Sequence, residues 1–186
     1  MQIILSRESE ASVVEKAVTV LGKGGIVVYP SDTVYGLAVD ATNQSAILNL
    51  AKLKNRRVDQ KFSFNFSDLD MVKKFCEISD YQEKTVSKYL PGPYTFVINK
   101  DISIRIPKDN IITKIVRSFG KPVTATSANI TGKSPATSTR NLDAKIYLAA
   151  DLIIEAPDFV GSAPSTVVDI TSEEARVLRQ GSFKFP

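Results

Sequence analysis

Short apolar runs alternate with amphipathic stretches along the whole chain, and that alternation restricts it to an α/β architecture. Residues 3–5 open as a short strand. From 12 to 21, Val13, Val14, Ala17, Val18 and Leu21 fall on one helix face, which Gly24-Gly25 ends. Residues 26–29 read as a buried strand stopped by Pro30, and 44–54 as a second helix capped by Asn43 or Ser45. Residues 62–66 alternate apolar with polar, as a strand does. Helical stretches near 68–76 and 80–90 follow, broken by Pro91-Gly-Pro93, then strands at 94–98 and 102–106. The segment 110–119 repeats the first helix's spacing through Ile111, Ile112, Ile115, Val116 and Phe119. A strand at 123–126, a weak helix near 139–149 and short strands at 152–154, 166–168 and 176–178 complete the pattern. The cluster Gly161-Ser-Ala-Pro-Ser165 is a loop inside the fold. The expectation is one α/β domain over 1–186, a twisted mixed open sheet flanked by helices, with no added C-terminal domain.

What the chain lacks narrows its chemistry. It contains no histidine and a single cysteine, Cys76. Ser-His-Asp and Cys-His catalysis are therefore excluded, as is a histidine-bearing zinc site. Only a hard, oxygen-seeking ion such as magnesium fits, and no metal site built from protein side chains is expected. Cys76 reads as a small buried apolar residue. The N-terminus shows no basic segment leading into an apolar one, and no apolar run is long enough to span a bilayer. With one cysteine, this points to a cytoplasmic protein with no membrane partner. The net charge of +4 mildly favours anionic partners.

Three segments carry the candidate site. Ser127-Ala-Asn129 follows the apolar run 122–126 and leads into Ile-Thr-Gly132-Lys133-Ser134. This sets a hydroxyl, a carboxamide and several free backbone N–H groups on a turn at a strand end, where open α/β sheets hold ligands. The stretch nearly matches a phosphate-binding P-loop, but Ser127 replaces the first glycine and Pro135 interrupts the helix that would follow. Pro30-Ser-Asp-Thr33-Val-Tyr-Gly36 supplies a hydroxyl-bearing turn. Lys52, Lys54, Arg56, Arg57 and Lys61 put five cations within ten residues, opposed only by Asp59. A Lys point charge and an Arg fork two residues apart suit phosphates and a carboxylate. Taken singly, Thr33 reads as a turn residue, Ser165 as a strand start and Arg179 as a surface residue; their order along the chain carries the weight.

That order resembles the YrdC-like family of threonylcarbamoyl-AMP synthases. The shared blocks are 24–37 (Gly24-Gly25-Ile-Val-Val-Tyr-Pro30-Ser-Asp-Thr33-Val-Tyr-Gly36-Leu), Lys54-x-Arg56, 90–96 (Leu-Pro-Gly-Pro-Tyr-Thr-Phe), Ile104-Arg105-Ile-Pro107, Thr126-Ser127-Ala-Asn129-x-x-Gly132, Pro164-Ser165-Thr166-Val-Val-Asp169 and Val177-Leu-Arg179-x-Gly181. The resemblance implies that Thr33, Asn65, Arg105, Thr126 and Ser165 bind L-threonine. It implies that Lys54, Arg56, Ser127, Asn129 and Arg179 hold the nucleotide and the carboxylated intermediate, with Lys54 and Arg56 as the catalytic pair. Three positions depart from the family pattern: Arg57 stands in place of proline, Gln60 of a common lysine, and Asn65 of a histidine.

The implied activity is an adenylyltransferase reaction. L-threonine, bicarbonate and ATP would give threonylcarbamoyl-AMP and pyrophosphate, with Mg2+ on the phosphates and the product passed to the tRNA threonylcarbamoyl-transfer machinery. Two other readings stay open on the residues alone. One is a binding module that holds tRNA or double-stranded RNA on the same cations, an affinity that could also accompany catalysis weakly. The other is a YciO-like protein on the same fold, which residues 62–66 resemble.

Overall fold

The computed structural model describes residues 2–4, 7–57, 59–108, 110–156, 164–181 and 183–186. Within them the chain runs β1 (Gln2–Ile4), α1 (Glu10–Gly22), β2 (Val27–Pro30), β3 (Tyr35–Ala38), α2 (Gln44–Leu53), β4 (Ser63–Asn65), α3 (Leu69–Phe75) and α4 (Asp80–Tyr89). It continues through β5 (Tyr94–Val97), β6 (Ser103–Arg105), α5 (Ile111–Phe119), β7 (Val123–Ser127), a 3-10 turn (Thr139–Asn141), α6 (Ala144–Ala149), β8 (Leu152–Glu155), β9 (Thr166–Asp169) and β10 (Arg176–Arg179).

Helices begin where a short polar side chain can take up the first free N–H groups. Ser9, Asn43, Asp68 and Asn110 do so for α1, α2, α3 and α5, so Asn43 rather than Ser45 caps the second helix. Ser79 and Gln82 cap α4 reciprocally. The weak helix expected near 139–149 is a 3-10 turn followed by the six-residue α6. Strand β3 was not expected; it lies just past the Ser-Asp-Thr turn and carries Gly36 inside it, and pairing with β2 overrides that weak local signal. Pro30 does not stop β2 but closes it, opposite Tyr35. Leu5 of the expected first strand, and residues 161–163 of the expected loop, lie outside the described residues.

Among the described residues ten strands form one sheet in the order β1-β8-β2-β3-β7-β4-β6-β5-β9-β10. The β1–β8, β8–β2, β4–β6 and β5–β9 pairs are parallel and the others antiparallel, so the sheet is mixed as expected. Helices α1 and α5 pack on one face of the β8-β2-β3-β7 half, burying Val13, Ala17, Leu21, Ile112, Ile115 and Val116. Each Val, Leu or Ile among them contributes about 1.5–3 kcal/mol. The opposite face is covered by α2 and α6 over Val28, Leu37 and Ile153. Helices α3 and α4 cover the second half around Phe66, Phe96 and Ile104. No helix of the described residues is long and apolar enough to cross a membrane.

Cys76 is buried at the end of α3, in the core that α3 and α4 cover. Burial pushes its thiol up to about 11. The folded chain thus keeps a proton that the unfolded chain releases near about 8.5. This contribution to stability is complete below that value and is lost as pH rises towards 11. At pH 8 a thiol reagent should label the native protein slowly and the urea-unfolded protein at once. Fast native labelling at pH 8 would place Cys76 outside the core.

Candidate active site

Strand register brings distant residues into one cleft. Across β2, β3 and β7, Tyr29 pairs with Gly36 and Gly36 with Ser127, while Ser63 of β4 faces Ala125 of β7. Further along, Asn65 pairs with Arg105, and Val167 of β9 pairs with both Thr95 of β5 and Arg179 of β10. All of these except Asn65 line a cleft of about 370 Å³, joined by Thr33, Arg56, Thr126, Asn129, Lys133 and Ser165. Eight of the ten expected site residues therefore meet in one place. Lys54 and Asn65 stand behind its wall.

The cleft is built for an anion. Arg56, Arg105, Arg179 and Lys133 line it, and none of the described lining residues is acidic. The arginines are held from behind. Arg56 donates through Nε to Gln60 O at 2.9 Å and through Nη2 to Lys61 O, with its guanidinium 4.6 Å from the centre of the Phe62 ring. Arg179 donates through Nη2 to Ser165 O at 2.8 Å. Arg105 is paired with Asp32, and its Nε is buried without a partner. Burial lowers the pKa of Arg179, and the charge of Arg105 adds to that effect. An anion between these cations relieves their repulsion.

The hydroxyl turn is held by Ser31, whose Oγ accepts from Thr33 N at 3.1 Å and donates to Val34 O at 2.6 Å. Thr33 is only 3% exposed and Ser165 4%, so the hydroxyl end of the cleft is its deep end. Ser165 Oγ shares a hydrogen bond of 2.9 Å with Thr95 Oγ1. Gly181 backs this corner, because a side chain there would meet Ser165 C and Thr166 N at 2.6 Å.

Lys54 clamps the Ser-Asn loop from beneath. Its ammonium donates to Ser127 O at 2.6 Å, Asn129 O at 2.7 Å and Asn129 Oδ1 at 3.1 Å, with the residue 2% exposed. Burial first, and the Arg56 charge second, pull its pKa down to about 7. Three acceptor oxygens nonetheless need three N–H donors, which only the ammonium has, so the geometry selects the charged form. Four of the backbone N–H groups expected to be free on this loop are taken. Those of Ala128, Asn129, Thr131 and Lys133 donate to Tyr35 O, Ser127 O, Lys54 O and Ile130 O. Asn129 is likewise engaged, accepting from Ser127 Oγ at 2.6 Å and donating to Lys133 O at 2.6 Å. Side chains, not a nest of amides, supply the positive potential, and no P-loop helix follows the loop.

Asn65 lies behind Tyr29, donating Nδ2 to Tyr29 Oη at 2.8 Å. Sequence reasoning missed Tyr29, Thr95 and Lys133 as cleft residues. For Tyr29 the signal was the glycine seven residues on, which faces it across the β2–β3 hairpin. Of the departures, Arg57 is exposed and paired with Asp59 at 2.9 Å, away from the cleft. Gln60 borders a smaller groove beside α2.

The chain matches the family model Sua5/YciO/YrdC, described as "Telomere recombination", over residues 19–181. It is 29% identical to a putative threonylcarbamoyl-AMP synthase of Methanocaldococcus jannaschii, over 95% of this chain and 89% of that one. Its fold matches Pyrococcus abyssi Sua5 complexed with L-threonine at a TM-score of 0.84 and 25% identity, covering 97% of this chain but 57% of that one. Escherichia coli YciO superposes at a TM-score of 0.84 with 23% identity, over 99% and 96% of the two chains, a likeness of fold alone. With the match spanning most of its length, the chain belongs to the Sua5/YciO/YrdC family.

Proposed function

We infer that this protein is a threonylcarbamoyl-AMP synthase, and the observation that carries the reading is a cleft with four cations, and no acidic residue among its described lining, beside a deep hydroxyl-bearing corner. The relatives' names and the threonine-bound Sua5 structure support it. The threonine amine attacks the carbon of bicarbonate and water leaves, giving a carbamate. A carbamate oxygen then attacks the α-phosphorus of ATP, the bond from that phosphorus to the oxygen bridging to the β-phosphate breaks, and pyrophosphate leaves. Neither step needs a protein nucleophile. Both need anions held together against their repulsion, so positioning and charge stabilisation supply most of the rate.

Thr33, Thr126, Arg105 and Ser165 form the amino-acid end, and Arg56, Arg179, Ser127 and Asn129 the end for phosphate and carbamate. Lys54 acts by holding the wall between them. Magnesium, when bound, neutralises phosphate charge. The described lining residues offer it hydroxyl and carbonyl oxygens but no carboxylate, which suits an ion carried in on ATP. The product would pass to the machinery that modifies a tRNA adenosine. The basic cluster does not form one exposed face, since Lys54 is buried and Arg56 lines the cleft, which weighs against a binding module. Incubation with ¹³C-bicarbonate, L-threonine and ATP should put the label into the carbamoyl carbon of an adenylate seen by mass spectrometry. An unlabelled threonyl adenylate would make the enzyme an amino-acid activator instead.

A further inference from the structure

Two hydrogen-bond donors without an acceptor belong to residues that line the cleft. The first belongs to Tyr29, whose residue is 3% exposed and whose ring lies over Gly36, where a side chain would come within 2.7 Å of the phenol oxygen. Asn65, 1% exposed, donates Nδ2 to Tyr29 Oη at 2.8 Å, and its Oδ1 has no partner. Turning that amide over would give Oδ1 the tyrosine proton but strand a buried N–H pair, and buried orphan donors are rarer than under-used carbonyls. Tyr29 Oη is thus already an acceptor, and its own hydrogen is left for the cleft the residue lines. Burial pushes the phenol up to about 12, so that hydrogen stays in place at neutral pH. The second donor is the buried, unpartnered Nε–H of Arg105, whose charge reaches the Tyr29 phenol. A carboxylate carries an acceptor oxygen for each of these donors.

We propose that Tyr29 is a specificity residue for the amino-acid substrate, donating its phenolic hydrogen bond to the carboxylate that Arg105 Nε also binds, with Asn65 the positioning residue that keeps the proton aimed into the cleft. The assignment rests on the synthase reading above. Asn65 acts only through Tyr29, so its departure from the family histidine changes what orients the phenol and not what touches the substrate.

The test is calorimetric titration of L-threonine and, separately, of ATP into wild type, Tyr29→Phe and Asn65→Asp. Phenylalanine keeps the ring over Gly36 and removes only the hydroxyl. Threonine should bind about tenfold more weakly to Tyr29→Phe, the loss of one hydrogen bond to a charged group, while ATP affinity stays within about twofold. Asn65→Asp should show the same selective loss, because a carboxylate accepts the phenol proton and turns it away from the cleft. Threonine affinity unchanged in Tyr29→Phe, or equal losses for threonine and ATP, would overturn the assignment. If Tyr29→Phe fails to fold, Asn65→Asp decides on the same two criteria. A wild-type protein that binds no threonine sinks the synthase reading and this inference together. One that binds threonine while both variants match it sinks only the inference.

Discussion

Arg56→Ala should lower kcat/KM by roughly 30- to 1,000-fold while the protein stays folded, a loss of about 2–4 kcal/mol in transition-state stabilisation. Arg56 lines the cleft, and its guanidinium is fixed by Gln60 O, Lys61 O and the Phe62 ring. Those contacts set the direction in which the rest of the fork faces the cleft. The carbonyls left behind lie in an exposed turn, where water can replace the lost donors, so stability should change by no more than about 1 kcal/mol. Arg56→Lys should recover only part of the rate, since an ammonium keeps the charge without the planar fork. Turnover and unfolding midpoint, measured on the same preparations, check this. A folded Arg56→Ala enzyme of normal activity would remove the residue from the site.

Two positions earlier the expected outcome is different. Lys54→Met should lose about 2–4 kcal/mol of stability as well as most activity. Each hydrogen bond to a charged group contributes about 1.5–3 kcal/mol, and part of the sum is offset by no longer burying an ammonium. The methionine fills the space but gives no donor to Ser127 O, Asn129 O or Asn129 Oδ1, which Lys54 reaches at 2.6–3.1 Å. The loop from Ser127 to Lys133 would then lose its anchor, and with it the position of the cleft wall. Urea unfolding should show a lower midpoint for Lys54→Met and almost none of that shift for Arg56→Ala. A stable but inactive Lys54→Met protein would instead make Lys54 a direct ligand contact, as the family resemblance implies.

The contrast between these neighbours marks where the sequence stops being readable. Thr33, Arg105, Ser165 and Arg179, singled out by the family resemblance and not by any local signal, all line one cleft. The alternation of strands and helices announced the mixed sheet. Burial of Lys54 could not be read, since its partners lie 73 and 75 residues away and nothing local distinguishes a clamp from a solvated lysine. Asn65 was expected to touch substrate, yet it does not line the cleft: its amide is bonded to Tyr29, 36 positions earlier. Strand β3 went unseen for a related reason. Gly36 is a poor strand former taken alone, yet a side chain there would collide with the Tyr29 ring that faces it. The loop's N–H groups looked available because a Ser-Asn turn offers them in isolation; in the fold they are taken by Tyr35, Ser127, Lys54 and Ile130.

Whether one cationic cleft joins an amino acid, bicarbonate and ATP is decided by pyrophosphate release with each substrate omitted in turn. A synthase releases pyrophosphate only when L-threonine, bicarbonate and ATP are all present, with each single omission returning the rate to background. Equal release from ATP alone would contradict it and leave a nucleotide hydrolase on this fold.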